Sequence, residues 1–437
     1  MRPLLSLFLC FFISLTAEAS LRIEIRQGMV KKTPVAIVAI PGETTFDKRM
    51  KKVIDHDFKT SGLFKLINEK AFIQGPASLL EKVRFADWRV LKAQFLLTIN
   101  VSRGIFSGLE VTFKLYDVMR GQEVLSQTIK GDQENWRRLA HIVADKVYHR
   151  ITGEDGYFSS RIAYVKESGP RGAKRRYRLA IMDSDGYNNQ FLTETGQTCI
   201  MPRFSKDGKK LTYVKFVNNR AHVYMIDMAT GQRRALGYFS GVSFSSRFSP
   251  DGQFVAMSVA ERNSSHIVLI NTITGEIKQL TPKVNGRIDV SPCFSPNGKE
   301  IYFTSDRYGQ ENIYLMDLNG KNIRHISVRG GKYSQPVISP RGDKIAFTKQ
   351  IGNRFAIGIM NLDGTDEYMI LQGNKIQDPA WTPNGRYISF TKLKGRGVSA
   401  KTHLMMVDLT GRNLRKIPTD GESSGASWSP PASVTLE

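Results

Sequence analysis

Three histidines, His222, His266 and His403, stand at one register of a repeated segment, each opening a run that ends in a turn (HVYMIDMATG, HIVLINTITG, HLMMVDLTG). Imidazoles are the commonest metal ligands, so a zinc site is the first chemistry to test. Each histidine belongs to a different repeat, at the start of its third strand. Strands away from a common axis diverge, which keeps the three rings from sharing an ion at roughly 2.0–2.1 Å. Asp289 and Asp378 could form an acid/base pair, yet they too fall in different repeats. Asp183-Ser184-Asp185-Gly186 is only a fragment of a calcium-loop series. Cys199 and Cys293 are the two cysteines beyond residue 19, and they read as small buried hydrophobes or rim thiols. No G-x-S-x-G elbow, phosphate loop, dinucleotide fingerprint or H-E-x-x-H helix occurs. Catalytic, cofactor and metal residues are therefore expected to be none.

The repeat that carries these residues must position them. MPRFSKDGKKLTYV, SSRFSPDGQFVAMS, SPCFSPNGKEIYFT, QPVISPRGDKIAFT and DPAWTPNGRYISFT share one pattern, with anchors at Phe204, Phe248, Phe294, Ile338, Trp381 and finally Trp428. A second marker ends on Gly186, Gly231, Gly275, Gly320, Gly364 and Gly411. Both keep a period of 43 to 47 residues. Each unit resolves into four strands, the count of a propeller blade. Ser-Pro-Asn-Gly and its variants suit a type I turn, and Asp183, Asp227, Asn271, Asp317, Asn361 and Asp408 suit Asx-turns. The first unit, at RIAYV, lacks an inner strand, and the last copy, ASWSP, has no strand after it. The two are complementary, so the strand around Trp428 is expected to complete the first blade and close a six-bladed ring.

The segment in front lacks the repeat and alternates strand and helix patterns. Strands are expected at 21–27, 34–40, 64–67, 94–102, 109–118 and 124–130. One helix follows Thr44 or Thr45 as N-cap, with Phe46, Met50, Val53, Ile54 and Phe58 on one face, and stops before Gly62. Another follows Asp132 as N-cap, carries Trp136, Leu139, Val143, Val147 and Ile151, and ends at Gly153. A third, shorter helix is expected between Ala77 and Lys92. The expected fold is a small α/β N-terminal domain followed by an all-β six-bladed β-propeller, with residues 20–151 as the first domain, 152–156 as linker and 157–437 as the propeller.

Residues 1–19 read as a cleavable export signal: Arg2, an apolar run of about 12 residues that is too short to span a bilayer, then Ala17-Glu18-Ala19. Cleavage is expected between Ala19 and Ser20. The chain carries 63 Lys plus Arg against 40 Asp plus Glu, a net charge of +23 that leans toward anionic partners. Export makes cytosolic nucleic acid an improbable partner. The basic run Arg171, Lys174, Arg175, Arg176 and Arg178 reads as a solvated hairpin.

Taken together, LRIEIRQG after the cleavage site, HRITGEDGYFSSRIAYV at the domain junction, DSDGYNNQFLT in the first blade and the closing GASWSPP resemble the TolB family of periplasmic Tol-Pal proteins. The resemblance spans the whole mature chain. Prolyl oligopeptidases share the blade motif, but they append an α/β-hydrolase domain that is not expected here. The resemblance implies a monomeric periplasmic binding protein that takes the peptidoglycan-associated lipoprotein Pal at one propeller mouth. It is held at the outer membrane through Pal, presents its mature N-terminus to TolA, and supports envelope integrity and constriction during division. The matching N-terminal segment is Ser20, Leu21, Arg22, Ile23, Glu24 and Ile25. By the blade motif, Val242, Ser245 and Val290 match family positions implicated in Pal contact. The mouth itself is expected from residues just before each innermost strand: Ile200, Met201, Phe244, Ser245, Val290, Ser291, Ser334, Gln335, Gln377, Asp378, Gly425 and Ala426. Ser246 and Ser427 stand where other blades carry proline, which marks those two rims as different. The alternatives are a propeller hydrolase or lyase and a sugar-binding propeller.

Overall fold

The computed structural model describes residues 31–42, 44–104, 108–172, 174–395 and 397–432. The expected leader, its Ala19/Ser20 cleavage point and the segment Ser20 to Ile25 lie outside these residues.

The N-terminal domain runs β1 (Thr33–Ala39), α1 (Phe46–Ser61), β2 (Phe64–Leu66), α2 (Phe85–Val90), β3 (Phe95–Arg103), β4 (Gly108–Asp117), β5 (Gln122–Asp132) and α3 (Trp136–Thr152). Its sheet has the order β2-β1-β3-β4-β5, with β1 parallel to both neighbours and the rest antiparallel. Met50, Val53, Ile54 and Phe58 of α1 are buried, as the helical period predicts. Gly62 ends α1 at φ +72°, and a Cβ there would come within 2.6 Å of Asn413 Nδ2 in the last blade, so this helix end is seated on the propeller.

Two local expectations are corrected. Asp132 does not cap α3: a 3-10 turn, Gln133–Asn135, intervenes, and Asn135 holds the N-cap position. The helix expected across Ala77 to Lys92 is broken into a 3-10 turn at Ala77–Leu79 and the short α2. The buried Gln74 side chain explains the break, because it accepts from Arg84 N and Trp88 Nε1 and donates to the Lys82 carbonyl.

The propeller consists of six four-stranded antiparallel sheets. Five are consecutive in sequence, with inner strands Cys199–Phe204, Val242–Phe248, Asp289–Phe294, Lys332–Ile338 and Ile376–Trp381. The first blade is composite: Glu422–Trp428 pairs antiparallel with Arg161–Ser168, which continues into Arg176–Asp183 and Gln190–Phe191. The Ser-Pro-x-Gly turns carry the expected bond from Gly to the residue three before, as at Gly252 N to Ser249 O, 2.9 Å. Asp227, Asn271, Asp317 and Asp408 accept backbone N–H groups as Asx-turns. Asp183 and Asn361 bond side chains instead.

The two domains share one apolar core. Tyr157 and Phe158, just after the junction, are buried between them. Phe158 meets Tyr148 of α3 edge-on at 5.6 Å, and Tyr157 meets Tyr387 at 5.2 Å and Trp428 edge-on at 6.1 Å. Among the described residues, polar ties between the domains on the turn side of the propeller include Tyr387 Oη to the Ser61 carbonyl, Asn413 Nδ2 to the Thr60 carbonyl at 3.2 Å, and Glu154 to Arg386 and Arg341. The opposite side, where the inner strands begin, is free of the described residues of the N-terminal domain.

Trp428 therefore joins ring closure to domain docking, with its indole N–H on Ser389 Oγ at 2.9 Å. Trp428→Ala is expected to cost about 3–5 kcal/mol in urea denaturation, as for a buried Trp truncation. A loss below about 1 kcal/mol would mean that the closing strand is held by its backbone pairing alone.

Candidate functional site

Each inner strand is broken by a β-bulge, seen as a register shift against the second strand of its blade. At each bulge one residue adopts the left-handed conformation: Met201, Ser245, Ser291, Gln335 and Asp378 at φ +52 to +57°, and Gly425 at +61°. Five of the six carry a side chain, in a conformation that costs roughly 1–2 kcal/mol for an L-residue. The blades offset part of this around the ring, since the freed N–H groups find partners in the preceding blade. Ser291 N donates to Ser258 Oγ at 3.1 Å, Asp378 N to Gln335 Oε1 at 3.0 Å and Gly425 N to Thr391 Oγ1 at 3.0 Å.

Five of the left-handed residues, Met201, Ser245, Ser291, Gln335 and Asp378, line the narrow upper part of the central tunnel with Pro292 and Pro379. Beside them Ile200, Val242, Phe244, Val290 and Ser334 are half-buried and Gln377 is exposed, whereas Gly425 and Ala426 are buried. Of the residues expected at the mouth, Met201, Ser245, Ser291, Gln335 and Asp378 line one opening, whereas Ile200, Val242 and Phe244 pack against the core between blades and Gly425 and Ala426 fall inside the wall. Ser246 and Ser427 do not disturb the ring: Ser246 Oγ bonds Thr212 Oγ1 at 2.9 Å, and Ser427 Oγ accepts from Phe204 N at 3.0 Å, both across to the second blade.

Ion pairs brace three of the strand starts. Asp289, fully buried, meets Arg307 at 3.1 Å. Tyr333 donates to Glu367 at 2.7 Å beside the Lys349–Glu367 pair, also 2.7 Å. Glu422 is held by Arg175, which lowers its carboxyl pKa to about 2. This corrects the reading of the basic run as a solvated hairpin, because Arg175 is buried between Glu167 and Glu422 and Arg171 Nε donates to the Ala400 carbonyl.

Sequence reasoning missed the outer rim of this face. Tyr238, Tyr308 and Val328 are 91%, 81% and 74% exposed, in loops at the strand-start side. Their signal was an isolated large side chain in a turn where no strand alternation places it. His222, His266 and His403 lie in three different blades, opposite Lys215, Val259 and Lys392 of the neighbouring strand.

Family comparison agrees with this architecture. The description "TolB beta propeller domain" matches residues 148–432, and "TolB amino-terminal domain" matches residues 21–124. The chain belongs to the TolB family. Tol-Pal system protein TolB of Paramagnetospirillum magneticum is 42% identical over 234 residues, 53% of this chain and 52% of that protein, so the match spans about half the length of that relative. TolB from Acinetobacter baumannii shares the fold at a TM-score of 0.80 and 24% identity, over 92% of this chain and 97% of that one. Kuenenia stuttgartiensis hydrazine synthase matches at a TM-score of 0.50 and 15% identity, over 62% of this chain and 47% of that one. The last two likenesses concern fold alone.

A second polar cluster of this TolB-family chain, also missed, lies between the domains. His141 Nδ1 of α3 contacts Asp57 of α1 at 2.7 Å, its Nε2 faces Asp185 of the first blade at 3.5 Å, and Arg137 binds Asp185. His141, Asp183 and Asp185 are close enough together to hold a cation, but Arg137 already occupies the Asp185 carboxylate. Burial alone would lower the His141 pKa; the Asp57 carboxylate overrides it and raises the pKa to about 9. Burial lifts Asp57 to about 6. A raised histidine stabilises the fold fully below its unfolded pKa and loses that contribution as pH climbs through its folded pKa. The thermal midpoint should therefore fall as pH rises through about 9. Asp57→Asn should flatten that limb and cost about 3–5 kcal/mol at neutral pH, because it strands a buried partner. An unchanged alkaline limb in the variant would assign it to other groups.

Proposed function

We propose that this TolB-family protein is a periplasmic component of the Tol-Pal system and acts there as a binding adaptor rather than an enzyme. Its propeller mouth takes the peptidoglycan-associated lipoprotein Pal, which ties it peripherally to the outer membrane, and its mature N-terminal segment, residues 20–25, engages TolA. In this role a monomer supports envelope integrity and constriction during division. The observation that carries the reading is the mouth itself: the bulged strand starts bring Met201, Ser245, Ser291, Gln335 and Asp378 to one opening, on the face away from the described residues of the N-terminal domain. Strained backbone of this kind persists where surrounding structure over-determines it, and it concentrates at binding sites. Exposed Tyr238, Tyr308 and Val328 around that opening have the composition of a protein-binding surface rather than of a sugar site or a catalytic pocket. Arg220, Arg262, Lys283, Arg329, Lys332 and Lys375, exposed in the loops of the same face, favour a partner with an acidic surface. The TolA part rests on the stretch LRIEIRQG, whose extended pattern suits addition to a partner's sheet edge.

The test is capture on the organism's own Pal periplasmic domain. Wild type should bind, while Ser245→Arg and Val290→Arg should each weaken binding about tenfold or more with unchanged thermal midpoints. Folded wild-type protein that fails to bind at micromolar concentration would sink the Pal assignment. For the second partner, deletion of residues 20–25 should abolish TolA capture and leave Pal capture intact; loss of both, or of neither, would refute the division of labour.

A further inference from the structure

Two residues beyond each left-handed position, the six inner strands place Arg203, Arg247, Cys293, Val337, Ala380 and Ser427 at one level of the tunnel. Both charges come from adjacent blades, and the facing blades offer only small or apolar groups. Among the described residues neither guanidinium forms an ion pair. Arg203 Nη1 bonds the Pro202 carbonyl at 2.7 Å and Arg247 Nη1 the Ser246 carbonyl at 3.1 Å, while Arg203 Nε is buried with no partner. Enclosure pushes the Arg203 pKa down to about 9, helped by the neighbouring Arg247 charge. Arg247 is lowered for the same first reason. The one carboxylate lining this region, Asp378, sits a tier above and is engaged by Gln335 Nε2 at 2.7 Å.

Below this waist the tunnel widens into a chamber of about 470 Å³. Its wall carries the six repeat anchors, Phe204, Phe248, Phe294, Ile338, Trp381 and Trp428. Above the waist only about 20 Å³ remains, room for about one water, so a ligand would reach the arginines from the chamber. Two arginines against one aspartate leave net positive charge at the end of the vestibule, and Lys206, exposed, also lines the chamber. A planar carboxylate matches the guanidinium fork and can carry an apolar body for the wall; phosphate and sulfate have no such body.

We propose that the lower chamber is a binding site for a carboxylate with an apolar body, its carboxyl group held by Arg203 and Arg247 and its body against the anchor ring. The carboxylate can belong to a free small molecule or to a chain end of a bound peptide; the chemistry at the arginines is the same. This site is separate from the mouth.

Phenylacetate serves as the probe, with neutral phenylacetamide and inorganic phosphate as controls, titrated into the purified full chain. The chain has four tryptophans, and only Trp381 and Trp428 line the chamber. Phenylacetate should shift those two indole N–H resonances and leave Trp88 and Trp136 unmoved, with phenylacetamide and phosphate each at least about tenfold weaker. The double variant Arg203→Gln/Arg247→Gln should lose the preference for acid over amide. A C-terminal phenylalanine peptide that competes with phenylacetate, against its amidated form, would identify a chain end as the source; failure of the peptide alone would leave a free small molecule. Equal binding of acid and amide by wild type, no shift of Trp381 or Trp428 at tens of millimolar, or an unchanged preference in the folded variant would each overturn the proposal. The wild-type comparison stands even if the variant does not fold.

Discussion

Closure of the first blade is the constraint on which the rest depends. Glu422–Trp428 lies against Arg161–Ser168, and without that pairing the remaining five sheets form an open arc with an unpaired strand at one end. The same strand carries Trp428, whose ring touches Tyr157, and Tyr157 with Phe158 is the wedge between the domains. Ring geometry, junction and domain docking are therefore not three independent features. They meet in one aromatic cluster, within which Tyr387 also reaches back to the end of α1.

A closed ring makes the tunnel a fixed object, and the six bulges divide it. The bulge in each inner strand turns one residue left-handed and in five of the six sends it into the narrow upper part, while the next inward residues form the waist. Met201, two serines, Gln335 and Asp378 above, two arginines at the waist and large apolar anchors below follow one another along a single strand register. Two chemically unlike openings thus arise from one repeated motif, and the described residues of the N-terminal domain occupy the face of one of them.

Much of this was legible in the sequence because a 43 to 47 residue period samples the same structural position six times. Strand order, ring closure and the shared register of Met201, Ser245, Ser291, Gln335, Asp378 and Gly425 followed from aligned repeats. Departures from expectation lie where a single residue decides: Gln74 splits a helix, and Arg175 is drawn inward by two glutamates that are distant in sequence. The His141 cluster was invisible for the same reason, since Asp57, His141 and Asp185 come from three elements that only domain docking brings together. Arg203 and Arg247 were visibly in register, but nothing in the repeat says which face of the strand looks into the tunnel.

The composite blade also sets a kinetic order. Its two halves lie at opposite ends of the propeller sequence, so the contact Glu422 to Glu167 forms only after everything between has been made. The entropy of closing so long a loop grows slowly with length, but pairing at such separation is slow. An emerging chain can assemble five blades locally, while the sixth waits for its last strand. During that wait the exposed edge of Arg161–Ser168 is the most vulnerable surface of the molecule, open to proteases and to strand exchange with a second copy. Closure of the ring is thus the step at which an exposed strand edge becomes a protected one.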